Sequence, residues 1–298
     1  MMTLARTDAD DLRRSITWEA CKAIGFKPKS WQEHFFSAVF RLPAGRFASL
    51  AAEFDNHIAQ EGVSKAMRWL LPRFARQVSV QGAENIPSTG PLLIVSNHPG
   101  AFDGVVILAQ MPRDDIKIIV SDVPFTRGMQ AASGHMIYST GVDMHERMNA
   151  LRQSVRHLKN GGALMLFPTG VVDPDPSFMP GAEGALEGWS SSLEFFLRQA
   201  PETDLLPVIV SGVIAPKYLN NPLARRQKTT RSRQKAAEYL EIAQLMVLHT
   251  ELGLSPRVSF GRPLKLADLQ GEAGVMPEII RQAGLLLEDH IITNSNDK

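Results

Sequence analysis

One segment, Pro91-Leu-Leu-Ile-Val-Ser-Asn-His-Pro-Gly-Ala-Phe-Asp103, predicts both a fold class and a candidate active site. An apolar strand over 92–95 runs into a polar turn, which opens into an apolar helix near Ala101. In α/β proteins, functional side chains commonly stand where a strand ends. His98 lies in that turn and Asp103 follows five residues later. This pair suits proton transfer, since the aspartate would hold one ring nitrogen and leave the other free.

The spacing alone is weak support for a catalytic pair, because the chain contains 8 histidines. Only His98 is followed by a carboxylate at this offset, and only His98 lies in a predicted strand–turn–helix. The alternative is a histidine in an ordinary turn, with Asp103 as a carboxylate favoured at a helix start by the helix dipole. Local physics leaves both interpretations open.

The composition bounds the class of protein. The 298 residues suffice for one large core, or for a core with a small helical domain. A net charge of +1 predicts no general attraction to nucleic acid. The single cysteine, Cys21, excludes an internal disulfide and a four-cysteine zinc site.

The distribution of apolar residues favours a cytoplasmic protein. No apolar run reaches the roughly 18 to 20 residues that cross a bilayer. The polar, acidic N-terminus is not typical of a secretory signal. If the protein handles lipid, we therefore expect it to act from solution or as a peripheral protein on the cytoplasmic membrane face.

Two regions differ in their sequence pattern. Residues 1–77 predict an N-terminal helical domain, with a helix break at Leu42-Pro-Ala-Gly45. We expect its large residues in the core, with membrane anchoring as the alternative: Phe35, Phe36, Phe40, Trp69, Leu70 and Leu71. Residues 78–298 alternate short β-rich runs with helical ones, which predicts an α/β domain with a mixed, mostly parallel sheet flanked by helices. The predicted strands cover 78–81, 92–95, 116–120, 163–167, 205–210 and 258–260.

Four stretches between about 78 and 266 resemble, in order and spacing, the motifs of the glycerolipid acyltransferase family. The family comprises the lysophosphatidic-acid and glycerol-3-phosphate acyltransferases. Its first motif, Asn-His followed by four residues and Asp, resembles Asn97 to Asp103. The later motifs resemble Leu166-Phe-Pro-Thr-Gly170, Leu206-Pro-Val-Ile-Val210 and Val258-Ser-Phe-Gly-Arg-Pro-Leu264.

The resemblance implies a reaction and roles for particular residues. A fatty acyl group would pass from acyl-CoA or acyl-carrier protein, as co-substrate, to the hydroxyl of a lipid or glycerol-type acceptor, with no metal and no further cofactor. His98 would be the general base and Asp103 its orienting partner. Gly100 and Gly104 are candidates for close backbone approach to the reacting atoms. The other implied substrate-binding residues are Asn97, Arg147, Phe167, Pro168, Thr169 and Gly170.

Two positions depart from the family pattern. Thr169 stands where the third motif carries glutamate, and Met144 stands where the second motif carries an arginine linked to the acceptor's phosphate. Methionine cannot replace the bidentate grip of arginine on phosphate. One interpretation is an acceptor other than glycerol-3-phosphate or lysophosphatidate, such as another hydroxyl, amine or glycosylated lipid. The others are a cation from a shifted position (Arg147, Arg127 or Lys217), or loss of activity.

A basic run without acidic residues follows the fourth motif; its basic members are Arg225, Arg226, Lys228, Arg231, Arg233 and Lys235. It is a candidate contact for an anionic membrane surface, for an acyl-carrier protein or for the phosphates of coenzyme A. The alternative is a solvated loop and helix start. Nucleic acid is not favoured, because no aromatic residues are interleaved with the run. Two rival functions stay open: a non-catalytic lipid- or carrier-protein-binding module, and a thioester hydrolase.

Overall fold

A computed structural model describes residues 7–24, 30–75, 77–139, 143–248, 252, 254–271 and 273–296. Within these residues the strands form one sheet in the order β1-β7-β6-β2-β5-β3-β4. The strands are β1 (Ser79–Gln81), β2 (Leu92–Ser96), β3 (Ile116–Val120), β4 (Met136–Tyr138), β5 (Ala163–Leu166), β6 (Asp204–Ser211) and β7 (Arg257–Phe260).

Parallel pairing joins most neighbours in the sheet, and only the β6–β7 pair is antiparallel among the described strands. Strands β1 and β7 therefore run opposite to the other five. This confirms the predicted mixed, mostly parallel sheet. The predicted strands are all present, with ends that differ by one residue. Strand β4 was not predicted, because three residues are too few to show a period.

Helices cover both faces of the sheet. They are α1 (Ala9–Ile24), α2 (Trp31–Glu61), α3 (Val63–Leu70), α4 (Asp103–Leu108), α5 (Pro124–Gly128), α6 (Gln130–Gly134), α7 (Met144–Lys159), α8 (Ala182–Leu186), α9 (Ser192–Gln199), α10 (Pro216–Leu219), α11 (Pro222–Arg225), α12 (Thr230–Leu248) and α13 (Val275–Asn296). Among the described residues, no helix is both long and apolar enough to cross a membrane.

Alternation along β2 explains why that strand reads as one apolar run. Leu93 and Val95 belong to the core cluster that α7, α9 and α13 cover, whereas Leu92 and Ile94 belong to the cluster under α3 and α4. All four are fully buried. A strand at the centre of a sheet covered on both faces is apolar at every position. Its carboxyl end is consequently fixed from both sides.

The predicted helix break at 42–45 is wrong, because α2 continues through Pro43. Proline inside a helix costs about 3 kcal/mol or more. Burial of the next turn offsets this cost: Ala44, Ala48 and Ala51 form a small-residue face in the same core cluster as Leu12 and Ile16 of α1. Short side chains allow the two helices to approach closely.

The N-terminal helices share that core cluster with Phe102 in the His98 turn, with Ile214 after β6 and with Ala237 of α12. They therefore pack over the segments that carry the candidate site. The boundary between a domain at 1–77 and one at 78–298 stays a prediction.

The expectation that the large N-terminal residues lie in the core holds only in part. Leu70 is buried, and Phe40, Trp69 and Leu71 are half-buried. The prediction that Phe35 lies in the core is wrong, because its side chain is 66% exposed. The side chain of Phe36 lies outside the described residues. Phe35 belongs to an exposed apolar stripe on α2, formed by Trp31, Phe35, Val39 and Leu42 at intervals of four, four and three residues. This spacing places the stripe opposite the alanine face.

Candidate functional site

The carboxyl ends of β2, β5 and β6 meet at the centre of the sheet, because β2 pairs with β5 on one side and with β6 on the other. Asn97 ties the first of these ends to the third. Its amide Nδ2 donates to the Val210 carbonyl at 2.9 Å, and its Oδ1 accepts from the Val210 N–H at 2.8 Å. Asn97 is buried and satisfies the main chain of β6. Its predicted contact with substrate stays a prediction.

His98 and Asp103 are joined as the sequence predicted. The Nδ1 atom of His98 lies 2.7 Å from Oδ2 of Asp103, whose side chain is only 2% exposed. The backbone N–H groups of Gly100 and Gly104 also donate to this carboxylate, at 3.2 and 2.6 Å. Asp103 therefore accepts hydrogen bonds on both oxygens while it opens α4. These bonds hold the Asp103 side chain rigidly.

The other ring nitrogen of His98, Nε2, makes no hydrogen bond to any described residue. The side chain is 26% exposed, and its ring stacks on Phe167 with centroids 4.3 Å apart and planes 19° apart. Burial opposes the charged imidazolium, but the Asp103 carboxylate more than offsets this, so the pKa of His98 is raised. The arrangement presents a basic nitrogen to solvent or to a bound molecule.

The loop after β5 reaches the His98 turn through Asp173. Its Oδ2 accepts from the His98 backbone N–H at 2.9 Å, and its own N–H donates to the His98 carbonyl at 2.7 Å. Thr169 Oγ1 donates to the Val171 carbonyl at 2.8 Å and to Asp173 Oδ2 at 3.2 Å. The Thr169 hydroxyl is thus used inside the loop. Gly170, at φ +65°, makes the turn there in a backbone conformation that favours glycine.

The contacts of Asp173 and Asp175 were not predicted from the sequence. Asp175 is fully buried and accepts from the N–H groups of Ser177, Gly212 and Val213. Burial raises the pKa of Asp175 to about 6. A signal was present: two acids alternate with prolines in Asp173-Pro-Asp-Pro176, in the loop that follows β5.

Helix α12 contributes a buried polar face that was also missed. Gln234 donates from Nε2 to the carbonyls of Pro99 and Asp173, at 2.5 and 2.6 Å. Glu241 is fully buried and accepts from the Ala215 N–H. Glu238 lies between them. Burial raises the pKa of Glu238 to about 7 and that of Glu241 to about 8. The sequence signal is the spacing of four and three residues, which puts all three on one helix face.

Some predicted residues do not join this cluster. Arg147 is exposed on α7, and Met144, 67% exposed, opens the same helix. Arg127 forms a bidentate ion pair with Asp122 beside an open cleft of about 610 Å³ that His98 does not line. Residues 140–142, shortly before Met144, lie outside the described residues. None of the contacts among the described residues joins Arg147, Arg127 or Lys217 to His98.

Gly100 has a packing reason to be glycine. A Cβ there would lie 3.1 Å from Val213 and 3.3 Å from Ile214, tighter than ordinary contact. Of the basic run, Arg231 contacts the loop after β5: its Nε donates to the Val172 carbonyl at 3.2 Å. Arg233 instead donates to the Leu219 carbonyl at 2.8 Å.

Comparison with known proteins places the His98 turn and the loop after β5, but not α12, in a matched region. Residues 77–211 match the family model described as Acyltransferase. Two uncharacterised proteins, of Mycobacterium tuberculosis and Mycobacterium bovis, are 26% identical over 231 residues, which is 72% of this chain and 59% of theirs. One of Mycobacterium leprae is 24% identical, over 72% of this chain and 58% of its own. The chain thus matches less than two thirds of the length of these curated relatives.

Among solved structures, the 1-acyl-sn-glycerophosphate (LPA) acyltransferase PlsC of Thermotoga maritima is similar at 16% identity. The TM-score is 0.47, and the match covers 94% of this chain and 97% of that chain.

We expect the buried acids to make the fold less stable as pH rises. The pKa of Glu241 is about 8 in the folded protein against an ordinary 4.5, so the folded state holds the proton more tightly than the unfolded state. Its contribution is fully present below pH 4.5 and is lost as pH rises through about 8. Glu241→Gln should therefore raise the unfolding midpoint at pH 8 by about 2 to 4 °C, for roughly 1 kcal/mol removed.

Thermal unfolding at pH 5 and pH 8 measures this effect. At pH 5 the two proteins should unfold at similar temperatures, because glutamine resembles a protonated glutamate in shape and hydrogen bonding. Glu187→Gln, at an exposed position after α8, serves as the control. Equal shifts at both pH values would contradict the prediction.

Proposed function

We propose that this chain moves a fatty acyl group from an acyl thioester to the hydroxyl of a lipid or glycerol-type acceptor, because residues 77–211 match the family model described as Acyltransferase. The donor is acyl-CoA or acyl-carrier protein. The observation that carries the proposal is the 2.7 Å contact between His98 Nδ1 and Asp103 Oδ2, which leaves Nε2 available. The arrangement gives a neutral imidazole with a fixed tautomer and a stabilised cationic form.

In the proposed reaction, Nε2 of His98 takes the proton of the acceptor hydroxyl as its oxygen attacks the thioester carbonyl carbon. The tetrahedral intermediate then collapses, the carbon–sulfur bond breaks, and the thiolate receives the proton from the imidazolium. The Asp103 carboxylate stabilises the imidazolium throughout. The N–H groups of Gly100 and Gly104 already donate to Asp103, so the oxyanion of the intermediate needs other donors.

The acceptor in this proposal differs from a simple glycerol phosphate. The Thr169 hydroxyl is hydrogen-bonded within its own loop. Met144 is exposed, and Arg127 is paired with Asp122. Support for a cation at the site comes instead from Arg231, which is held against the carbonyl next to Asp173. We propose that Arg231 contacts an anionic group of the acceptor or of the donor.

His98→Ala should lower acceptor-dependent release of free thiol from palmitoyl-CoA by about 10²- to 10⁴-fold, since a positioned base typically supplies that factor. Thiol release is followed with and without lysophosphatidate, glycerol-3-phosphate and non-phosphorylated lipid acceptors, and repeated with acyl-carrier protein as donor. His145→Ala, at an exposed position on α7, is the matched control and should keep wild-type rates.

Three outcomes of that assay separate the rival functions. Release without any acceptor would indicate a hydrolase. Binding of lipid or carrier protein with no release from any pair would indicate the non-catalytic module. Release that is indifferent to His98 would overturn its role as base even if transfer occurs.

Arg231→Gln should raise the KM of the substrate that carries the anionic group by about tenfold, because a hydrogen bond to a charged group contributes roughly 1.5 to 3 kcal/mol. Comparing acyl-CoA with an acyl-pantetheine that lacks phosphates assigns the contact to the donor. Comparing phosphorylated with neutral acceptors assigns it to the acceptor. Arg225→Gln, on α11 in the same basic run, is the control. Equal effects of both variants would indicate that the basic run acts only through its general positive charge and that Arg231 makes no specific contact.

We also propose that the protein works as a peripheral protein at a lipid surface. The support is the α2 stripe, whose members Trp31, Phe35, Val39 and Leu42 are 75, 66, 63 and 64% exposed. Tryptophan and phenylalanine are favoured at the boundary between headgroups and acyl chains. Arg46, exposed one turn further on the same helix face, suits an anionic headgroup.

Phe35→Ser with Val39→Ser should weaken binding to vesicles of phosphatidylglycerol and phosphatidylcholine by about 10²- to 10⁴-fold, because each of the two apolar side chains contributes roughly 1.5 to 3 kcal/mol of transfer energy. Vesicle co-sedimentation measures the partitioning. Ile292→Ser, which removes a 61% exposed apolar side chain from α13, is the control. Unchanged partitioning of the double variant would remove the stripe from the proposal.

A further inference from the structure

The polar face of α12 lies against the turn that carries His98. Gln234 fixes one end of this face, because its amide donates to the Pro99 carbonyl and to the Asp173 carbonyl. Both acceptors adjoin His98: Pro99 follows it in the chain, and Asp173 exchanges hydrogen bonds with its main chain. Glu241 fixes the other end through the Ala215 N–H. Glu238, one turn after Gln234, is therefore held level with the turn.

The side chain of Glu238 is half-buried, and its carboxyl is incompletely satisfied. Its Oε1 is shielded from solvent and has no hydrogen-bond partner among the described residues. It points toward the His98 turn, since a Cβ built on Gly100 would lie 3.6 Å from it. Burying a carboxylate without a partner is unfavourable unless a positive charge lies close by. A cation is therefore needed near Glu238 when its carboxyl is ionised.

Several charged groups surround Glu238 and His98. His98, Asp103, Lys235 and Glu241 act on Glu238, and Lys235 is exposed. Asp103, Asp173 and Glu238 act on His98. Of the two cations near Glu238, the imidazolium of His98 is thus the one within the partly buried site.

We propose that Glu238 is a positioning residue, a second carboxylate beside Asp103 that stabilises the imidazolium of His98 at the moment the acceptor proton is taken. The proposal rests on the proposed function, in which His98 is the base. Asp103 holds the ring by a hydrogen bond, whereas Glu238 acts on it across space from a different element. None of the motifs that resemble the acyltransferase family contains Glu238, and the matched region ends before α12.

The protonation behaviour of Glu238 fits this role. Burial raises the pKa of Glu238 to about 7 and the His98 charge opposes that rise, so the carboxyl tends to ionise when His98 is cationic. A negative Glu238 in turn raises the pKa of His98. Removing that charge should lower the pKa of His98, move the acidic limb of the kcat/KM profile to lower pH, and slow the plateau rate because the imidazolium is less stable.

Two readouts test the proposal. In protein with isotope-labelled histidine, the His98 signal is identified by its absence from His98→Ala, and its titration gives the pKa without any need for turnover. Glu238→Gln should lower that pKa and reduce kcat about tenfold, a part of the roughly 10²- to 10⁴-fold that a base supplies. Glu238→Asp should restore part of both. Glu241→Gln, a buried carboxyl on the same helix face, should leave the His98 titration in place.

The outcomes are separable. An unchanged His98 titration and an unchanged acidic limb in folded Glu238→Gln would overturn the proposal and leave a structural role. A shifted titration in a protein that transfers no acyl group would retain the charge coupling and overturn the proposed function. If Glu238→Gln does not fold, titrating wild-type protein with labelled glutamate and histidine decides: linked two-step curves for Glu238 and His98 support the proposal, and independent curves overturn it.

Discussion

The Asp103 carboxylate is the constraint around which the candidate site is arranged. It accepts from the imidazole of His98 and from the N–H groups of Gly100 and Gly104, so one side chain orients the ring, closes the turn and opens α4. Because Asp103 is 2% exposed, these bonds form in a low-dielectric setting where they are strong. The His98 turn is also held by two further side chains. Asn97 bonds to the main chain of β6, and Asp173, in the loop after β5, accepts from the His98 N–H. Every neighbouring segment is therefore positioned relative to this carboxylate.

Charge is distributed unevenly in a chain whose net charge is only +1. Asp103, Asp173, Asp175 and Glu241 are all buried around the His98 turn, while most of the basic run on α11 and α12 is exposed. Backbone N–H groups satisfy much of this buried acidity. The result is an acidic interior that favours a cation at the imidazole, beneath a basic exterior suited to anionic partners.

The sequence was sufficient for features that depend on short range. The apolar run of β2 and its turn predicted the strand, the His98–Asp103 pair and the α/β sheet, because a strand buried on both faces has a distinctive pattern. It failed where long-range packing decides. Pro43 lies within α2 because the alanine face buries against α1, and the exposure of Phe35 depends on which face that packing selects. The contacts of Asp173 and Glu238 depend on a loop and a helix meeting a turn 75 or more residues away, which no local pattern encodes.

The four segments that build the site are remote from one another in the chain: the His98 turn, the loop at 167–175, the connection after β6 and the polar face of α12. A truncated or mistranslated product that ends near residue 211 would keep His98, Asp103 and the whole region matched by the family model, yet lose Gln234, Glu238 and Glu241. For this chain, an intact motif therefore does not report an intact site. Whether α12 has docked on the His98 turn decides whether the site is complete.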